Sequence, residues 1–269
     1  MMRIASLQPS ITVTLAALGA VNKLCAHTRY CAEALPELAT LGLPLLQDSW
    51  TTNTDELTAV KPDLVIASVP YRIESLAAIL KAGFPVLALA PKTLEDIFAD
   101  TRLMGAQVDR HDAAECLVAG FRVLLQSSNE SAAAALGEAP GPRVYCEEWG
   151  KPLIRSQGWV AELIEAAHGK FVGAPGAQTT TQEVEDSDPD VLLFAWCGAG
   201  DRVPLERVIE QRGWQGLRAV QERRVYCIPD EYLNTPAIPS LTKGLACISA
   251  TLHPDRVVRP ERLIQLAVR

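Results

Sequence analysis

Three features of the sequence predict an α/β protein of two lobes, each with a parallel-rich sheet, joined by one long backbone helix. Residues 61–68, KPDLVIAS, and 188–196, DPDVLLFAW, share a layout in which a Pro-Asp pair ends a helix and launches a continuous apolar strand. Strands of that composition are buried on both faces, as in parallel sheets covered by helices. Each is preceded by a strand-helix unit and followed by a further strand, so the two halves read as divergent copies of one plan. Between the halves lies a stretch of helical period with no strand signal.

The elements follow in order. RIASLQPS is a strand ending at Pro9 and Ser10, and ITVTLAALGA is the helix after it. KLCAH is the second strand, LVIAS the third, and FPVLALAP at 84–91 another. Leu94, Ile97, Phe98, Leu117, Phe121, Leu124 and Leu125 recur at helical spacings and predict a short helix near 93–104 and a long one near 109–137, stopped by Pro140-Gly141-Pro142. The second half opens with the strand RVYCEEW and the helix in QGWVAELIEAAHG, and RRVYCIPD at 223–230 supplies a later strand. The expected organisation is an N-terminal lobe over 1–106, a linking helix over 107–138 and a C-terminal lobe over 139–269.

Composition excludes several function classes. With 269 residues, 48% hydrophobic and 21% charged, the chain fits a compact globular protein. A net charge of -7 without a Lys/Arg run offers no field for nucleic acid. Gln8, Pro9 and Ser10 interrupt the apolar start, so the first residues are expected to be structure rather than a leader, and no segment has the length of a membrane span. The seven cysteines show no CxxC pair and predict free thiols in a reducing, cytoplasmic compartment. An exported, periplasmic form is expected only if the native start lies upstream. Cys116, Cys146, Cys227 and Cys247 are expected to be small buried hydrophobes.

In open parallel sheets, ligands bind beyond the carboxyl ends of the strands. The residues expected there are Pro9, Ser10, Thr28, Arg29, Tyr30, Tyr71 and Arg72 in the first lobe, and Glu148, Trp149, Trp196, Cys197, Tyr232 and Asn234 in the second, with Trp50 and Trp159 on the same side. Aromatics are only 6% of the chain, so their concentration at strand ends points to a cleft for a large, partly flat ligand. Strand alternation turns Glu147 and Glu148 to opposite sides, leaving one to accept hydrogen bonds from ligand amides. Trp214 is expected to pack or lie on the surface. His27 is placed near the cleft and Arg155 is a further cation there. With four histidines and no convergent set, no metal site is expected. The chain has no GxSxG, P-loop or GxGxxG, and the reading is that it is not an enzyme.

The stretches RIASLQPSITVTLAALGA, AHTRYC, NTDELTAVKPDLVIAS, EEWGKPLIRSQGWVAELIEAAHG, DPDVLLFAWCGAG and DEYLNTPAIPSLTKGLACISATLHPD, in that order, resemble the helical-backbone substrate-binding proteins of ABC importers, and specifically their cobalamin-binding branch. The resemblance implies a corrinoid gripped in an interlobe cleft, with Tyr30, and similarly Trp50, against the corrin, and Asp55 as a docking residue for a permease. It implies no cofactor beyond the bound ligand. The His that relatives often carry before the Trp of the second lobe's first helix is replaced by Ser156, Gln157 and Gly158. A leaderless cytoplasmic corrinoid carrier is a second expectation, and an iron-siderophore or haem binder of the same fold is the alternative.

Overall fold

The computed structural model describes residues 2–136 and 140–267. The chain divides into two compact units, the first comprising residues up to Ala119 with Pro236–Pro239, the second Gly120–Thr235 with the residues from Ser240 onward.

The first unit is a parallel sheet of order β3-β2-β1-β4-β5, built from β1 (Ile4–Ser6), β2 (Leu24–Thr28), β3 (Leu45–Leu46), β4 (Leu64–Ser68) and β5 (Val86–Leu89). The helices α1 (Pro9–Ala17), α2 (Arg29–Ala34), α3 (Thr54–Val60), α4 (Ile73–Lys81) and α5 (Leu94–Gln107) connect and flank the strands. The two-residue period of the strands fills a core on either face. Ile4, Leu24, Ile66 and Leu89 pack with Ile11 and Leu15 of α1 and Met104 of α5, while Ala5, Ala26, Val65 and Ala67 pack with Leu57 of α3 and Ile79 of α4.

The helical stretch resolves into α5, opened by a capping box of Thr93 and Asp96, and α6 (His111–Leu136), 26 residues long. They meet at a tight corner. A Cβ on Gly105 would lie 2.7 Å from the Ala114 Cβ and 3.1 Å from the Arg110 carbonyl oxygen, so only glycine admits this approach.

The second unit holds a mixed sheet of order β12-β11-β10-β6-β7-β9, with β8 also paired to β6. Its strands are β6 (Arg143–Gly150), β7 (Leu153–Arg155), β8 (Lys170–Phe171), β9 (Gln178–Thr179), β10 (Val191–Phe194), β11 (Val225–Cys227) and β12 (Ile264–Gln265). β6, β10, β11 and β8 run parallel, whereas the pairings β6–β7, β7–β9 and β11–β12 are antiparallel. Its helices are α7 (Gly158–Ala166), α8 (Thr181–Ser187), α9 (Leu205–Arg212), α10 (Arg218–Gln221), α11 (Asp230–Leu233) and α12 (Ile238–Leu252). The core gathers Tyr145, Leu192, Phe194, Val208 and Trp214.

The repeated Pro-Asp layout has one physical cause in both units. Lys61 and Asp188, each before the proline, take left-handed conformations at φ 48° and 38° and end α3 and α8. The aspartate two residues on then ties the new strand to its neighbour. Asp63 accepts the Arg3 N–H at 2.8 Å and donates its own N–H to the Arg3 carbonyl at 2.8 Å. Asp190 makes the same two bonds with Arg143, at 2.7 and 2.8 Å.

Cys116 corrects one expectation: it lies exposed on α6, because its position falls on the helix face away from the core, whereas Cys146, Cys227 and Cys247 are buried. Among the described residues, no helix is long and apolar enough to cross a membrane.

Candidate ligand-binding site

In the second unit the carboxyl ends of β6 and β10 border a cavity of about 730 Å³. The β6–β7 hairpin supplies Trp149, Lys151 and Leu153 to its wall, the segment after β10 supplies Trp196 and Cys197, and α9 supplies Arg207, Val208 and Arg212. Of the expected ligand residues, Trp149, Trp196 and Cys197 come together here. The Trp149 indole N–H donates to the Lys151 carbonyl at 2.8 Å, which steadies the ring while leaving Trp149 44% exposed.

Trp196 is held from beneath. Its indole N–H donates to Glu147 Oε1 at 2.7 Å, and the Arg212 guanidinium donates to both Glu147 oxygens at 2.8 Å each. The Tyr145 hydroxyl donates to Oε2 of the same carboxylate, and burial, then the adjacent Glu147 charge, hold that phenol un-ionised. Arg212 also lies over the rings of Phe194, Trp196 and Trp214 at 5.7, 5.8 and 4.8 Å. With Glu147 fully buried and the Arg212 side chain 9% exposed, the pair is a desolvated, bidentate ion pair, the geometry in which arginine is strongest. Gly150 completes the seat, since a Cβ there would stand 2.6 Å from Trp196 Cζ2.

Glu148 points the other way, as alternation requires. It is half-buried, accepts the Gln157 Nε2–H at 2.6 Å, and burial pushes its carboxyl up to about 7 against the effect of that hydrogen bond. Asn234 donates through Nδ2 to the Ala195 carbonyl at 2.7 Å and to Cys197 Sγ at 3.2 Å, while its buried Oδ1 has no hydrogen-bond partner among the described residues. Tyr232 is half-buried with Lys243 and Arg262 each 5.5 Å from its ring centroid.

The strand ends of the first unit are knitted by a residue the sequence reading passed over. Gln8 Nε2 donates to Ser49 Oγ at 2.7 Å and to the Pro70 carbonyl at 3.1 Å. Ser49 is fully buried and donates to the carbonyls of Ser68 and Pro70. Trp50 therefore projects from an anchored segment: Asp48 Oδ1 accepts its N–H at 3.0 Å, Ser75 donates to its carbonyl at 3.1 Å, and Arg72 lies 5.7 Å from its ring centroid. Arg29 similarly covers Tyr30 at 4.6 Å, with an N–H donated to the Tyr30 hydroxyl at 2.6 Å. Trp50 and Tyr30 are 50% and 37% exposed. Pro9 and Tyr71 are half-buried at the same strand ends.

Several expected site residues are turned inward. Trp159 is 4% exposed because α7 is buried on most sides, and its indole N–H is spent on the Leu233 carbonyl at 2.7 Å. Thr28 caps α2, accepting the Cys31 N–H at 3.2 Å and donating to Cys31 Sγ, and Ser10 is buried within α1. His27 is also buried, with Nδ1 2.9 Å from the Thr28 carbonyl oxygen. Arg155 binds Thr179 Oγ1 at 2.6 Å and so secures β9 rather than facing a ligand. Burial pushes the Cys146 and Cys247 thiols up to about 12 and Cys227 to about 11, holding them protonated and poorly nucleophilic. Among the described residues, no group of His, Cys, Asp or Glu gathers as metal ligands.

Comparison with known proteins places the chain. Among curated proteins there is no match. A solved periplasmic heme binding protein from Pseudomonas aeruginosa matches with a TM-score of 0.84 and 19% identity, over 100% of this chain and 99% of that one. The periplasmic vitamin B12 binding protein of Vibrio cholerae matches with a TM-score of 0.72 and 24% identity, over 94% and 96%. A periplasmic heme-binding protein from Roseiflexus sp. RS-1 gives 0.76 and 21%, over 93% and 99%. At these identities the likeness speaks to fold. A family model described as periplasmic binding protein matches residues 4–232. Parallel-rich sheets, a long helix and the matched span lead to one assignment: the chain is a non-catalytic binding protein and belongs to the periplasmic binding protein family.

Proposed function

We propose that the chain binds a corrinoid, as the substrate-binding component of an ABC importer or as a relative that keeps the fold without the transport role. The observation that carries this reading is the 730 Å³ cavity with Trp149 and Trp196 in its wall. That volume suits a large ligand, and rigid rings give contact area at little entropic cost. Outside that lining, the half-buried Glu148 carboxyl is an acceptor for amide N–H groups. A corrinoid presents a flat apolar macrocycle fringed with amides, which matches both features. Arg29, Tyr30, Trp50, Tyr71 and Arg72 are the ligand-facing residues proposed for the first unit, and the lobe limits 1–106, 107–138 and 139–269 go with the same reading. The vitamin B12 binding protein among the structural relatives supports it.

A second reading, a haem or ferric chelate, is favoured by the guanidinium groups of Arg29 and Arg72 stacked on exposed rings, which would meet carboxylate arms. Incubating the protein separately with cobalamin, cobinamide, haem and a ferric siderophore, then desalting and reading the visible spectrum of the protein fraction, separates the two. Co-elution of cobalamin or cobinamide is expected. Retention of haem or the siderophore alone would replace the first reading with the second.

A further inference from the structure

The lining of the second unit's cavity is one-sided in charge. The chain as a whole carries a net charge of -7, yet three of the cavity's lining residues are basic and none is acidic. These three cations are not equivalent. Arg212 is neutralised by Glu147 in a bidentate pair, so it stiffens the wall and adds little field. Lys151 and Arg207 are exposed, and among the described residues neither has a hydrogen bond or ion pair through its side chain. Lys151 stands on the hairpin next to Trp149, and Arg207 stands on α9, with Thr181 and Gln211 as further polar groups in the same lining. A pocket walled by tryptophan and edged by unpaired cations is complementary to an apolar aromatic body bearing an anion.

We propose that this cavity is an anion-accepting subsite in which Lys151 and Arg207 hold a carboxylate or phosphodiester arm of the ligand, with the ligand's apolar body against Trp149 and Trp196. The inference rests on the reading that the cavity is a ligand seat, and it adds the charge class of the ligand and the residues that select it. It assigns the charged arm to the part of the wall where the hairpin's Lys151 and Arg207 of α9 stand.

The test uses two probes with the same aromatic body. 8-Anilino-1-naphthalenesulfonate carries an anion, and N-phenyl-1-naphthylamine does not. Probe fluorescence and energy transfer from tryptophan are titrated on the full chain and on Lys151→Gln/Arg207→Gln, whose exposed positions leave folding intact. The sulfonate probe is expected to bind the native chain tighter than the neutral one, to weaken as salt is raised, and to lose about tenfold in the double variant, while the neutral probe is unaffected. Displacement of the sulfonate by haem identifies a carboxylate as the arm, and displacement by cobalamin but not by amide-only cobinamide identifies a phosphodiester. If both probes bind the native chain and the double variant alike and salt has no effect, the anion assignment is overturned while the cavity stands as a ligand seat. If neither probe binds nor receives energy from tryptophan, the cavity reading falls and the inference with it.

Discussion

Replacing Glu147 by Gln should cost the protein a large share of its stability, although the two side chains are nearly the same size. The carboxylate is fully buried and receives N–H groups from Trp196 and twice from Arg212, together with the Tyr145 hydroxyl. A glutamine offers one acceptor oxygen, and its NH2 must face at least one of those donors. It also leaves the Arg212 guanidinium, 9% exposed, without a counter-charge. Breaking one partner of such a pair costs about 3–5 kcal/mol, the greater part of it from the stranded ion. The surface pair Arg102–Glu115, with side chains 37% and 61% exposed, is the internal control, and Glu115→Gln should cost under about 1 kcal/mol. Urea unfolding followed by circular dichroism gives both values from the midpoint and slope. A double-mutant cycle adding Arg212→Met should recover about 2 kcal/mol or more relative to the sum of the single changes, because it removes the orphaned charge. A Glu147→Gln cost no greater than that of Glu115→Gln, or simple addition of the changes at 147 and 212, would refute the stranded Arg212 charge as the source of the loss.

Three further outcomes follow from the site. Glu148 has its folded-state carboxyl raised to about 7 by burial, so the native state holds more protons than the unfolded chain above the ordinary carboxylate range, and stability should fall as pH rises from about 4.5 through 7; Glu148→Gln should flatten that slope and be the more stable protein at pH 8, which urea midpoints at pH 5 and pH 8 will show, and an unchanged slope would contradict the burial argument. Trp159→Phe removes the 2.7 Å bond to the Leu233 carbonyl and should lower stability by about 1–3 kcal/mol without altering ligand-induced quenching of the remaining tryptophans; a lost ligand response would return Trp159 to the site. Gly150→Ala places a methyl 2.6 Å from Trp196 Cζ2, so it should displace that ring and weaken ligand binding about tenfold, or about 1.4 kcal/mol, as measured by titration, with unaltered affinity counting against Trp196 as the wall.

The fold was readable because its determinants are local. Lys61-Pro62-Asp63 and Asp188-Pro189-Asp190 announce a helix end and a strand start in the residue order itself, and the structure realises both with the same left-handed turn and the same pair of backbone bonds. Glu147 and Glu148 were separable for a similar reason, since neighbours on a strand face opposite ways. What escaped the sequence depends on partners far along the chain. Trp159 sits at a helix start like a ligand-facing ring, but the Leu233 carbonyl that claims it lies 74 positions later. Arg212 meets Glu147 across a separation of 65. Short strands such as β8, β9 and β12 are two residues each and carry no periodic signal. Gln8 looked like an interruption in an apolar run, and its function as a tie to Ser49 and Pro70 exists only once those loops are folded.

The closed ion pair under Trp196 has a consequence for how this protein could diversify. Since Arg212 and Glu147 cancel each other inside the wall, the charge this cavity presents can be rewritten by exchanging Lys151 and Arg207. Those two positions sit on the surface, where substitutions shift stability by no more than about 0.5 kcal/mol. Selectivity is thereby uncoupled from foldability, and a descendant could trade one cargo for another without disturbing its scaffold.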